Sequence, residues 1–177
     1  VYGVAGMVTT REFISVAMWH LMEKPHLMER MRVGEQAERY AILHEILRLE
    51  PVVGHLYRRT TNDLEIESQG KMVTIPAGTK LDLNVSTANI DERAVGDNGA
   101  AVCPMRDMQE LRPKVQQYGL SFGDGSHRCP GAFVAIQESD IFIRKLLEID
   151  GLKIERKPDV TYFAIAESYE LRDFILT

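Results

Sequence analysis

The chain has 177 residues, is 45% hydrophobic and carries a formal net charge of -5, which suits one globular domain of ordinary size. The mild acidity argues against a nucleic-acid surface, which is usually clearly basic, and no apolar run approaches the ~20 residues of a membrane span. Two cysteines, Cys103 and Cys129, make no disulfide framework and point to a reduced, cytoplasmic setting. No charged start followed by an apolar stretch reads as a signal peptide. The first residue is Val1, inside the apolar small-residue run VYGVAGMVTT, as expected of a piece of something longer.

The first segment, to Glu23, reads as a helix with a stripe of Phe13, Ile14, Ala17, Met18, Leu21 and Met22. Pro25 interrupts, and His26 to Arg32 reads as a short second helix ended by Gly34. Ala37 to Glu50 is the next, burying Tyr40, Leu43, Ile46 and Leu47 and stopped by Pro51. The period then changes. Leu64, Ile66, Val73, Ile75, Leu81, Leu83 and Val85 alternate with polar residues as in strands, with turns at 68–71 and 76–78. From Ala88 to about Ser121 no regular pattern is read. Ala132 to Glu148 reads as a strong helix with Phe133, Ile136, Ile141, Ile143, Leu146 and Leu147 available for burial, stopped by Gly151. Short alternations, at 153–155 and 173–175, fill the tail.

Between the irregular segment and that last helix lies Phe122-Gly123-Asp124-Gly125-Ser126-His127-Arg128-Cys129-Pro130-Gly131. Glycines at 123, 125 and 131 let the backbone take unusual dihedrals and approach a flat ligand. Cys129 sits at the mouth of a helix, where the dipole and unpaired N–H groups favour thiolate. Such a sulfur is a nucleophile, a metal ligand or a buried small residue. The nucleophile needs a base, and His127 at i-2 points away on an extended turn. Zinc needs about four ligands, and His20, His26, His44 and His55 are scattered.

FGDGSHRCPG resembles the cysteine-ligand loop of the cytochrome P450 family at every characteristic position. The resemblance implies that Cys129 gives its thiolate to haem iron, pushing electron density onto it. It places Phe122 against the haem beside the sulfur, His127 on a propionate, and loop amides on the sulfur. Glu45-Ile46-Leu47-Arg48 is similar to the family's buried Glu-x-x-Arg pair, with Arg106 as third partner. HLYRRTTNDLEI resembles the strand that brings an arginine to a propionate, which makes Arg58 the contact, with Arg59 as the alternative. VTIPAGTKL and ANIDERAVG match scaffold segments. Ala5-Gly6-Met7-Val8-Thr9-Thr10 resembles the middle of the helix crossing the distal haem face. There Ala5 and Gly6 leave room for dioxygen and Thr9 helps deliver protons. Val8 stands where the family has Asp or Glu. Val52, Val53 and Gly54, and 164–169, match segments that reach the substrate pocket.

The resemblance implies a mainly α fold with small β-sheets, the carboxy-terminal portion of the P450 fold, most like soluble bacterial members. It gives one partial domain, 1–177: distal-helix remnant 1–23, Glu-x-x-Arg helix 37–50, β region 56–86, irregular segment 88–121, cysteine loop 122–131 and proximal helix 132–148. The implied cofactor is haem b. The implied activity of the intact protein is monooxygenation of an apolar small molecule with electrons from a ferredoxin or flavoprotein, met by basic residues such as Arg128 and Lys145. Two alternatives stand beside it: a peroxide-using haem-thiolate enzyme, motivated by Val8, and a truncated, non-catalytic piece, haem-binding or apo, that self-associates through apolar surface.

Overall fold

A computed structural model gives the fold and describes residues 2–106, 115–164 and 166–177. Val1, the 107–114 part of the expected irregular segment, and Ile165 of the expected pocket segment lie outside the described residues. Helix α1 runs Tyr2–Glu23, α2 Pro25–Val33 and α3 Gln36–Leu49. Pro25 opens α2, where a missing N–H costs nothing, and the Gly34 N–H closes it on the Arg30 carbonyl at 2.9 Å. Strands β1 His55–Arg59, β2 Leu64–Ser68, β3 Lys71–Ile75 and β4 Lys80–Asn84 follow.

Two short helices, α4 Val85–Asn89 and α5 Glu92–Val95, overlap what periodicity reads as irregular. Each is too short to show a 3.6-residue period, and each is started by a side-chain cap. Asn84 accepts from the Thr87 N–H and Asp91 from the Arg93 N–H, at 2.9 and 3.0 Å. Helix α6 runs Ala132–Leu147, and β5 Ile154–Arg156, β6 Asp159–Phe163, β7 Ser168–Arg172 and β8 Ile175–Leu176 complete the chain. The described strands form four two-stranded antiparallel sheets, β1–β4, β2–β3, β5–β8 and β6–β7.

The core lies between α1, α2, α3 and α6. Phe13, Ala17 and Leu21 meet Leu27, Met31, Leu43, Ile46, Ile136, Ile143 and Leu147 in one buried cluster. Only part of the α6 expectation holds. Ile136, Ile143 and Leu147 are buried with Ser139 and Asp140, whereas Phe133 is 66% exposed and Ile141 53%. At about 100° per residue Ile141 points roughly 140° away from Ile136, while Phe133 lies in the first turn at the edge of the buried stripe. The buried side of α6 is clasped to α3 by a bidentate pair, Arg39 Nε to Asp140 Oδ1 at 2.7 Å and Nη2 to Oδ2 at 2.9 Å.

Candidate functional site

Cys129 is an exposed free thiol between a short 3-10 turn, Gly125–His127, and the start of α6. A free cysteine is ordinarily among the most buried residue types, so its exposure is informative. The loop is folded by its own backbone. The Cys129 N–H donates to the Phe122 carbonyl at 2.7 Å, and the Arg128 N–H to the Gly125 carbonyl at 3.1 Å. Gly123 at φ 68° and Gly125 at φ 63° make the reversal, in a region that L side chains disfavour.

The residues before the loop anchor it. Phe122 packs on the core and meets Tyr118 edge-on, centroids 4.9 Å apart. Tyr118 meets His44 of α3 at 5.3 Å, and its hydroxyl accepts from Arg128 Nη2 at 2.5 Å. Burial pushes the His44 imidazole below its ordinary value, against a Gln117 hydrogen bond that pulls the other way. Sequence reasoning missed both Tyr118 and His44, because a lone histidine on a helix face carries no motif.

Glu45, Arg48 and Arg106 come together beneath this layer. Arg48 is 0% exposed. Its Nε and Nη2 donate to the two Glu45 oxygens at 2.8 Å each, and Nη1 donates to the Asn89 and Gly99 carbonyls at 2.6 and 2.7 Å. Arg106 Nε lies 3.6 Å from Glu45 Oε1, and its two Nη atoms hold the Val95, Asp97, Asn98 and Ala101 carbonyls. The Cys103 N–H donates to Glu45 Oε1 at 2.8 Å.

Asn89 joins this knot to the cysteine loop, and no sequence motif announced it. Its Nδ2 donates to the Arg48 carbonyl and to Ser121 Oγ, both at 2.9 Å, while its Oδ1 accepts from the Leu120 N–H at 2.7 Å. Ser121 Oγ donates to the Leu47 carbonyl at 2.7 Å. The end of α3 and the residues before Phe122 are thereby held together.

The remaining expected residues lie on the exposed side. His127 is exposed, and so is Arg58, whose Nη1 donates to the Tyr57 carbonyl at 2.8 Å. Neither forms an ion pair among the described residues. Arg59 donates to the Gly78 carbonyl at 2.5 Å. Ala5 and Gly6 are exposed on α1, and nothing lies within 4 Å of a Cβ built on Gly6. Thr9 is half-buried, its Oγ1 donating to the Ala5 carbonyl at 2.7 Å.

The two expected pocket segments touch. The Gly54 N–H donates to the Ala166 carbonyl at 2.9 Å. A Cβ at Gly54 would sit 2.2 Å from the Glu167 carbonyl oxygen, so only glycine permits the approach. The Tyr57 hydroxyl donates to the Glu167 carboxylate, and that bond, with burial, pushes Tyr57 up to about 12. Among the expected docking cations, Lys145 is paired with Glu148 at 2.8 Å and Arg128 is engaged by Tyr118.

The family model described as Cytochrome P450 matches residues 40–159, a stretch that includes the Glu45–Arg48 helix, the cysteine loop and α6. The chain belongs to the cytochrome P450 family. Cytochrome P450 CYP199A2 of Rhodopseudomonas palustris is 30% identical over 142 residues, covering 80% of this chain and 31% of that protein. Cytochrome P450-SOY of Streptomyces griseus is 29% identical over 152 residues, covering 85% and 34%. A crystal structure of P450BioI, in complex with hexadec-9Z-enoic acid ligated acyl carrier protein, has a TM-score of 0.77 at 25% identity, covering 96% of this chain and 40% of that one. CYP109E1 from Bacillus megaterium, in complex with corticosterone, matches in fold with a TM-score of 0.79 over 99% of this chain and 44% of that one. The chain thus spans about a third of the length of these curated relatives.

Cytochromes P450 carry haem iron, and the residues present fit that group. An exposed thiol lies in a loop whose glycines keep side chains away from the backbone: nothing lies within 4 Å of a Cβ built on Gly125, and one on Gly131 would meet only Cys129 Sγ, at 3.8 Å. Among the described residues the exposed Arg58 and His127 have no acidic partner. A zinc-type site finds no counterpart, since among the described residues no group of three or more His, Cys, Asp or Glu is placed to hold a metal ion. Among those residues no helix is long and apolar enough to cross a membrane.

Proposed function

We propose that the intact protein is a cytoplasmic haem-thiolate monooxygenase that holds haem b through Cys129. It inserts one oxygen atom of dioxygen into an apolar organic substrate, with electrons from a ferredoxin or flavoprotein. The observation that carries this reading is the exposed Cys129 thiol in a glycine-built loop at the mouth of α6.

Bound haem supplies the oxygen-activating redox chemistry. The chain's residues do the rest. Cys129 offers its sulfur as the ligand at the start of α6. Phe122, braced by Tyr118 and His44, would lie against the haem beside that sulfur. Arg58 and His127 bind the propionates through charge-assisted hydrogen bonds. Ala5 and Gly6 leave space on α1. Thr9 holds a proton at Oγ1, and that oxygen keeps its lone pairs for a donor because its hydrogen goes to Ala5. Glu45, Arg48 and Arg106 tie α3 to the backbone ahead of the loop. The apolar substrate class is supported by the fatty acyl chain and the steroid in the two structural neighbours.

The test is the absorbance spectrum of the haem-loaded, reduced protein under carbon monoxide. A red-shifted thiolate band is expected, lost in Cys129→Ala and kept in Cys103→Ala. A haem-loaded protein without the band would overturn Cys129 as ligand.

Val8 supports a second reading, a peroxide-using haem-thiolate enzyme, since an isopropyl group cannot relay a proton. Turnover with hydrogen peroxide but none with a reductase and dioxygen would favour it over the first.

A further inference from the structure

Beside Val8, one buried carboxylate on the same helix has an oxygen left over. Glu12 is 4% exposed. Its Oε1 accepts from Arg11 Nε at 3.1 Å and from Nη2 at 2.5 Å. Its Oε2 is buried with no hydrogen-bond partner among the described residues. Leaving such an oxygen unmet costs about 1–3 kcal/mol or more, so packing alone gives no reason for it. Buried polar groups left in this state call for a water, an ion or a catalytic role.

Helix geometry says what the free oxygen faces. Ala5, Thr9, Glu12 and Val16 stand at i, i+4, i+7 and i+11, one stripe of α1. At about 100° per residue, Glu12 falls in azimuth between Val8 and Thr9, about 40° from the first and 60° from the second. Helical side chains lean toward the amino terminus, so a residue covers the turn before its own Cα. Glu12 therefore covers the turn that carries Val8 and Thr9. Cβ atoms three apart lie about 5–6 Å from each other, a separation that one water can bridge between two polar side chains. That Thr9 oxygen already gives its hydrogen to Ala5 and is free to accept.

We propose that Glu12 is the proton-relay residue of the distal side, acting from one turn further along α1 than the position Val8 occupies. The proposal rests on the haem-thiolate reading above. Glu12, paired as a carboxylate with Arg11, takes a proton from solvent on Oε2 and hands it to the bridging water, which would pass one to Thr9 Oγ1 as the Thr9 hydroxyl gives up its own toward the distal side. Glu12 is left as a carboxylate beside the Arg11 guanidinium. It recovers its proton from bulk water along Arg11, whose side chain is 59% exposed. The chain ends each cycle unchanged, and the proton comes from solvent. The other charge facing Glu12 is Arg172 of β7, which feels the Glu12 charge and is itself held by Glu170 at 2.7 Å.

Two measurements test this. On the 177-residue chain without haem, infrared spectra with labelled glutamate, differenced against Glu12→Gln, isolate the Glu12 carboxyl bands. Thr9→Val, which keeps the shape and removes the hydroxyl, is expected to shift those bands, while Thr10→Val leaves them in place. Bands indifferent to Thr9→Val overturn the relay. On the haem-loaded protein driven by a reductase system and dioxygen, Glu12→Gln is expected to lower product formation about a hundredfold and divert electrons to hydrogen peroxide. Glu12→Asp, or Val8→Glu added to Glu12→Gln, is expected to restore coupling. Unchanged coupling in Glu12→Gln also overturns the relay. A haem-loaded protein without the thiolate band defeats the haem-thiolate reading, and the infrared result still decides whether Glu12 and Thr9 are joined.

Discussion

Arg48 shows how much one side chain holds in this protein. A guanidinium with no exposure is tolerable only because all its donors are met, two by Glu45 and the rest by the Asn89, Gly99 and Ala101 carbonyls. Removing the carboxylate leaves a buried cation unpaired, which costs about 3–5 kcal/mol. Glu45→Ala is therefore expected to lower the unfolding free energy in urea by that much. Asn89→Ala orphans the Leu120 N–H and the Arg48 carbonyl, at a cost of about 1–3 kcal/mol. A urea midpoint unchanged in both variants would mean that the knot contributes nothing to folding. The Glu45–Arg48 spacing was legible in sequence, because both residues lie on one helix. Asn89 was not, because an asparagine in a short turn has the same local signature whether its amide meets water or a buried backbone.

At the scale of elements, junctions decide more than the elements do. The end of α1, the end of α3 and β7 meet at one hydrogen-bonded chain: Lys24 Nζ to His20 Nδ1 at 3.3 Å, His20 Nε2 to Glu50 Oε1 at 3.1 Å, and the Tyr169 hydroxyl to Glu50 Oε2 at 2.7 Å. Burial pushes the Glu50 carboxyl up, but the bonds from His20 and Tyr169 outweigh it, and the net shift is downward. A lowered carboxyl favours the folded state above the ordinary range near 4.3, and that contribution is lost as pH falls from there through the folded value. Tyr169 is pushed up by burial and by the Glu50 charge, so its contribution is present below about pH 10 and lost as pH rises through its folded value.

His44 works in the acid direction. Its lowered value means that its contribution is present above about pH 6.5 and is lost as pH falls. Urea midpoints measured from about pH 8 down to about pH 2 are expected to fall in two steps. His44→Phe should remove the step below about pH 6.5, and Glu50→Gln the one below about pH 4.3. A profile identical in both variants would refute these assignments.

The whole molecule is more open than its mass suggests. Its accessible surface is 11014 Å² for 20.1 kDa, against about 8,700 Å² for a compact monomer of that mass. Large apolar side chains are among the exposed residues, including Met72, Phe133 and Tyr162. Hairpin β2–β3 sets Leu64 opposite Ile75 and Ile66 opposite Val73, yet every residue of β2 is exposed. A two-stranded sheet is marginal alone and needs a covering layer. Self-association through such faces is expected, visible in light scattering as a mass that rises with concentration. Ile66→Lys with Val73→Glu should lower it, and a concentration-independent monomer would contradict the expectation.

The sequence by itself determined the local grammar: helices wherever the apolar period is long, the hairpin turn at Gln69-Gly70, and a cysteine loop whose residue types and order sufficed to identify its family. These are properties of neighbours along the chain, set by backbone dihedrals and side-chain period. Only the tertiary structure decided which residues of α6 are buried, that Gly54 admits the Glu167 backbone, that Tyr118 and His44 brace Phe122, and that Glu12 has a buried oxygen to spare. Each of those depends on a partner tens of residues away in the chain, or on which face of a helix its packing hides, and no local pattern encodes either.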